Sequence, residues 1–66
     1  MHVTINGNNE EIQEGLTILE LLKMNDIDPS RIAIEFNLKV LPKKNYDKTA
    51  IRDGDKIEIV HFVGGG

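Results

Sequence analysis

In residues 1–22, MHVTINGNNEEIQEGLTILELL, the apolar period changes once, and that change points to the fold class. Val3 and Ile5 alternate with His2, Thr4 and Asn6, which is the period-two pattern of a half-buried strand. Gly7-Asn8-Asn9 is turn material, because Gly and Asn tolerate positive φ. Glu10 to Glu14 resumes with Ile12 as the inward residue, so the two runs predict a β-hairpin. Gly15 breaks the strand. Thr17 and Glu20 then stand at capping-box spacing, and Ile18, Leu21 and Leu22 recur along one helical face. The predicted helix covers residues 17–26 and ends at Asn25-Asp26 and Asp28-Pro29, with Leu19 half exposed beside the main stripe.

Downstream of that helix, Ile32, Ile34 and Phe36 alternate with Ala33, Glu35 and Asn37 and predict a third strand over 31–37. A turn near 37–39 leads to a short stretch at Val40-Leu41, and Pro42 to Tyr46 reads as a single helical turn. Asp53-Gly54-Asp55 is a turn signal, and Lys56 to Val63 is a last strand rich in β-branched residues. One helix covers one face of one sheet, which is the layer logic of an α+β domain. The order β-β-α-β-β, with the short stretch before the last strand, fits a β-grasp: a mixed β-sheet packed on one main helix. Residues 1–63 are expected to form that domain, and residues 64–66 a flexible glycine tail.

Composition narrows the function. A 66-residue chain is one domain and buries only about 60 % of its unfolded surface, which leaves little room for a conventional substrate pocket. There is no cysteine, hence no disulfide, cysteine nucleophile or thiolate metal site. The net charge of −3, with Glu10, Glu11, Glu14 and Glu20 grouped early, argues against nucleic acid and anionic membranes. No apolar run approaches the ~18 residues of a membrane span, and the N-terminus lacks the pattern of a signal peptide. A soluble cytoplasmic protein is expected. His2 and His61 lack metal-ligand spacing, so no metal site is expected, and His61 shares the parity of Ile57 and Ile59 as a partly buried strand histidine. Asp53 and Asp55 are expected to shape their turn, Tyr46 and Phe36 to pack, and Lys43 and Lys44 to lie on the surface.

The sequence closes on Val63-Gly64-Gly65-Gly66. Glycines add no packing, and they cost more backbone entropy to order than any other residue. They supply reach, about 10 Å for three extended residues, and a strand thin enough for a narrow channel. They deliver one chemical group, an α-carboxylate, ionised at neutral pH with a reference pKa of roughly 3.3–3.7. That carboxylate can attack the α-phosphate of ATP, and becomes a good acyl donor only as the mixed anhydride. The same glycines also match a frayed end, but the strand before them stays apolar to Val63. Parity along that strand puts Val60 and Phe62 on the Glu58 face, turned to solvent, as a small apolar patch for a partner. A β-bulge would instead turn Phe62 inward.

Ile5-Asn6-Gly7; Gly15, Thr17-Ile18 and Glu20-Leu21-Leu22; Ala33-Ile34-Glu35-Phe36-Asn37; Val40-Leu41-Pro42-Lys43; Tyr46; Ile51; Asp53-Gly54-Asp55; and Gly65-Gly66 follow one another along nearly the whole chain. In that order and at that length the chain resembles the ThiS family, the ubiquitin-like β-grasp sulfur carriers of thiamine biosynthesis. The resemblance implies a carrier rather than an enzyme. A ThiF-like adenylyltransferase using ATP and Mg would adenylate the Gly66 carboxylate. A sulfur donor, such as a cysteine desulfurase or rhodanese-type protein, would convert it to a thiocarboxylate. A ThiG-like thiazole synthase would then take the sulfur. Gly66 would carry the group, Gly65 and Gly64 would give access, and no catalytic residue, bound cofactor or metal would belong to this chain. The free protein is expected to be a monomer. The alternatives are the molybdopterin synthase small subunit, a ubiquitin-like protein modifier, or a binding module with an inert tail. The 66-residue length and the Asp53-Gly54-Asp55 turn favour the thiamine branch. Gly64 and Leu38 depart from the family's usual pattern.

Overall fold

Asn6 and Gly7 sit at φ 51° and 82°, the pair of left-handed positions that a two-residue type I′ hairpin requires. They join β1 (His2–Ile5) to β2 (Asn8–Glu11). The sequence suggested a turn over residues 7–9 and a second strand from Glu10. The structure closes the turn one residue earlier, because Asn accepts the left-handed region and the tighter turn matches the strand twist. Ile12 follows β2 and locks the hairpin: its N–H donates to the Met1 carbonyl at 2.9 Å, and the Met1 ammonium donates to the Ile12 carbonyl at 2.9 Å. The computed structural model describes residues 1–63.

Helix α1 (Ile18–Met24) is shorter than the predicted 17–26 at its far end. Its start is the anticipated capping box: the Glu20 N–H donates to Thr17 Oγ1 at 3.2 Å, and the Thr17 N–H donates to Glu20 Oε1 at 2.9 Å. Two further free amides of the first turn are satisfied from afar. The Ile18 N–H donates to the Thr49 carbonyl and the Leu19 N–H to the Tyr46 carbonyl, each at 3.0 Å. The end is a Schellman closure: Asp26 takes φ 56°, its N–H donates to the Lys23 carbonyl, and the Ile27 N–H donates to the Leu22 carbonyl. A 3-10 turn, Pro29–Arg31, follows, capped by Asp28, whose Oδ1 accepts from the Ser30 amide at 2.9 Å and its hydroxyl at 2.8 Å. Those two bonds, with a smaller contribution from nearby Arg31 and Lys43, hold the exposed Asp28 carboxyl below its ordinary value.

β3 (Ile32–Phe36) turns at Asn37-Leu38 into β4 (Lys39–Leu41), again with two left-handed residues, φ 52° and 71°. The short stretch at Val40-Leu41 is thus a full edge strand. A 3-10 turn spans Lys43–Asn45, where a single helical turn was expected, and β5 runs over Lys56–His61. The sheet order is β2-β1-β5-β3-β4. β5 lies parallel to β1 and antiparallel to β3, so the sheet is mixed and its last strand is central. This is the expected α+β β-grasp.

The core lies between the helix and the inner sheet face: Val3, Ile32, Ile34 and Ile57 from strands meet Ile18, Leu21 and Leu22 from α1. Leu19 packs at its margin, half-buried as its position predicted. Leu16, Tyr46 and Ile51 close one end, with Ile51 donating its N–H to the Leu16 carbonyl at 2.9 Å. Burial, with the Ile34 backbone opposing, pushes the Tyr46 phenol above its ordinary value.

Both hairpin asparagines also clamp β5. Asn6 Oδ1 accepts from the Ile59 N–H at 2.7 Å, and Asn37 Oδ1 accepts from the Lys56 N–H at 2.8 Å. Asp55 Oδ1 takes the Asn37 side-chain amide at 3.0 Å, and its other oxygen caps the Arg52 N–H at 2.7 Å. Asp53 Oδ1 accepts from the His2 N–H at 2.7 Å. The two aspartates shape the turn, as expected, and also tie it to β1 and to the β3–β4 turn.

Candidate functional site

The site is built where β5 leaves the sheet. Its register against β3 runs unbroken from Phe36↔Ile57 to Ile32↔His61, so no bulge shifts the parity before Phe62. The ladder gains one more bond past the strand, from the Phe62 N–H to the Arg31 carbonyl at 3.0 Å. The strand itself ends at His61, two residues earlier than the sequence suggested. Val60 and Phe62 fall on the open sheet face, 52 % and 56 % exposed, as the parity predicted. Val63 beyond them is 96 % exposed.

The surroundings of this pair were not legible in the sequence, because they depend on cross-strand register. Val60 stands opposite Ala33 on β3. Val40, on edge strand β4, stands opposite Glu35 and is itself largely exposed. Lys43 donates its ammonium to the Ile32 carbonyl at 3.0 Å and holds it 5.2 Å from the centre of the Phe62 ring. A cation at that distance is attracted by the ring face, so the aromatic is backed by a charge while remaining open to solvent. The only sequence signal for this contact was the placing of Lys43 and Lys44 on the surface.

Gly64, Gly65 and Gly66, the expected carrier tail, lie outside the described residues. What the fold contributes is their point of departure. The central strand, clamped by Asn6 and Asn37, ends beside an exposed apolar patch.

His61 is exposed, not partly buried as its parity suggested. It does face the helix side, where it borders a hollow of about 230 Å³ walled by Ile5, Ile12, Leu21, Ile27 and Ile59. Helix α1 ends at Met24, too soon to cover it. The hollow falls below the roughly 300–1,000 Å³ of ligand pockets. Its polar lining is Asn6, Glu10, Asn25 and His61, without a lysine or arginine, which does not suit a nucleotide triphosphate. Among the described residues no group of three His, Cys, Asp or Glu side chains is placed to hold a metal ion. His2 makes only a loose exposed contact with Glu11, 3.8 Å across the first hairpin. Among the described residues no helix is long and apolar enough to cross a membrane.

Comparison with known proteins agrees with this geometry. The model of the ThiS family matches residues 3–66. The sulfur carrier protein ThiS of Bacillus subtilis is 40 % identical over 50 residues, 76 % of this chain and 76 % of that protein. A thiazole synthase of Paramagnetospirillum magneticum is 41 % identical over 66 residues, all of this chain, which spans 20 % of that protein's length. The crystal structure of a thiamine biosynthesis protein (ThiS) from Geobacter metallireducens superposes with a TM-score of 0.86 at 33 % identity, covering 100 % of both chains.

Proposed function

The chain belongs to the ThiS family of sulfur carriers in thiamine biosynthesis, and we propose that it carries sulfur as a thiocarboxylate on Gly66 and delivers it to a thiazole synthase. The observation that supports this most is that the family match runs through the terminal glycines, residues 3–66, rather than stopping at the folded domain. The protein is then a carrier, and the catalytic residues belong to its partners.

The chemistry follows from a free α-carboxylate. In the active site of an adenylyltransferase, a Gly66 oxygen attacks the α-phosphorus of MgATP, and the bond to pyrophosphate breaks. The carboxyl carbon, inert as a carboxylate, becomes electrophilic in the acyl-adenylate. The terminal sulfur of a donor persulfide attacks it and AMP leaves. A thiol then cleaves the remaining sulfur–sulfur bond and leaves the thiocarboxylate. This chain has no cysteine, so the sulfur must come from a separate donor. Gly65 and Gly64 admit the tail to a channel that a Cβ would crowd, while Val60 and Phe62 seat the folded domain against the partner. The reactions call for a cytoplasmic setting in which ATP and persulfide donors meet, with the carrier free as a monomer between encounters.

ATP–pyrophosphate exchange by the adenylyltransferase tests the activation step. The parent chain supports exchange, Gly66→Ala slows it by crowding the acyl centre, and a chain lacking Gly65-Gly66 supports none. Undiminished exchange with the truncated chain would contradict the proposal.

A further inference from the structure

Along the open sheet face, charge and apolarity are arranged in rows. Glu58 on β5 stands directly opposite Glu35 on β3, and Glu35 is in turn opposite Val40 on β4. The next row holds Val60 opposite Ala33. The row after it holds Phe62, bonded to the Arg31 backbone, with the Lys43 ammonium over the ring. Four residues of strand separate the first row from the last, about 13 Å at ~3.3 Å per residue.

The first row is unfavourable in the chain by itself. Like charges directly opposite in a sheet destabilise it, and among the described residues neither Glu35 nor Glu58 is in an ion pair. A fold selected for stability alone has no use for two facing carboxylates beside an exposed valine. The same face ends, at the root of the tail, in a cation held in place by the Ile32 carbonyl. The face is therefore polar at both ends with opposite signs, and apolar between.

We propose that this face is a directional docking surface for thiazole synthase. It fits an enzyme surface of the reverse order: a basic side chain against Glu35 and Glu58, an apolar hollow for Val60 and Phe62, and a carboxylate against Lys43. The inference rests on the reading of the chain as a sulfur carrier. The choice of thiazole synthase as occupant draws on the Paramagnetospirillum relative, in which a stretch similar to this whole chain is part of a thiazole synthase. The two charged ends fix the direction in which the carrier lies, and so the direction in which the tail leaves it. A partner cation between the two carboxylates relieves the repulsion that the free chain carries, so Glu35 and Glu58 trade stability of the free chain for affinity in the complex.

That trade gives a test that a purely structural role would not pass. Thermal unfolding of Glu58→Gln and Glu35→Gln and their binding to the thiazole synthase of the same organism are measured by calorimetry, at low and high salt. Each variant is expected to melt about 1–6 °C higher than the parent. Each is also expected to bind about 5-fold more weakly at low salt, with the difference shrinking as salt screens it. Lys43→Gln is expected to bind more weakly without melting higher, and Glu14→Gln, outside this face, to bind like the parent. Unchanged affinity of both glutamine variants overturns the proposal, whatever their melting temperatures. So does a parent chain that acquires sulfur at Gly66 yet does not bind the enzyme. If the parent acquires no sulfur with an active adenylyltransferase, it is the carrier reading that fails.

Discussion

Truncating Phe62 should separate docking from folding. The ring is 56 % exposed, and an aromatic side chain offers on the order of 200 Å². Roughly 110 Å² of it is therefore open to a partner, worth about 2.8 kcal/mol at ~25 cal/mol/Å² if fully covered. Ordering the interface offsets part of that gain, so Phe62→Ala is expected to weaken binding to the adenylyltransferase about 10- to 100-fold. Folding loses much less. The Phe62 backbone bond to Arg31 survives the substitution. The contact with the Lys43 ammonium, 5.2 Å from the ring centre, is an exposed cation–π pair of about 0.5–1 kcal/mol. The assay pairs titration calorimetry against the enzyme with urea unfolding of the free chain. Affinity equal to the parent's would refute the docking role. Loss of the cooperative unfolding transition would refute the peripheral placement of the ring.

Tyr46 makes stability sensitive to alkali. Its folded pKa is raised by burial above the unfolded value near 10.0, so its contribution is fully present below about pH 10 and falls as pH rises through the folded value. Tyr46→Phe should flatten the decline in urea midpoint between about pH 9 and 12. As the chain's one tyrosine, with no tryptophan, Tyr46 can also be titrated directly by absorbance, and a phenol titrating at the free-peptide value would contradict its burial. Leu38 is exposed at φ 71°, a conformation that costs a non-glycine residue roughly 1–2 kcal/mol. Leu38→Gly should raise unfolding free energy by about 0.5–1 kcal/mol after the entropy of the added glycine is counted, and a lower urea midpoint would show that the turn is not strained.

The elements whose reading depends on nearest neighbours were legible in the sequence. Thr17 and Glu20 fixed the helix start because a capping box is a local device, and Ile57 and Glu58 fixed the faces of β5 because strand parity is local too. The helix end was misplaced because the left-handed Asp26, rather than Pro29, closes it. The first turn was misplaced by one residue because Asn6 and Asn8 are equally good turn formers in isolation; closure at Asn6 lets its side chain reach the Ile59 amide. The patch was found through Val60 and Phe62, which share a strand. Its partners Val40, Ala33 and Lys43 were missed, since they come from β4, β3 and the turn after β4 and meet β5 only through long-range register. The opposition of Glu35 to Glu58, separated by 23 positions in the chain, was hidden for the same reason.

The fold presents an exposed apolar patch on a clamped central strand and leaves Gly66 to carry the chemistry, so the most direct measurement is made on Gly66. The chain is incubated with MgATP, the adenylyltransferase and a persulfide donor, and its intact mass is then recorded and mapped by fragmentation. The account predicts a gain equal to replacing one oxygen by one sulfur, confined to the terminal residue and absent without ATP. An unchanged mass with an enzyme shown to be active, or a sulfur placed anywhere but Gly66, would contradict it.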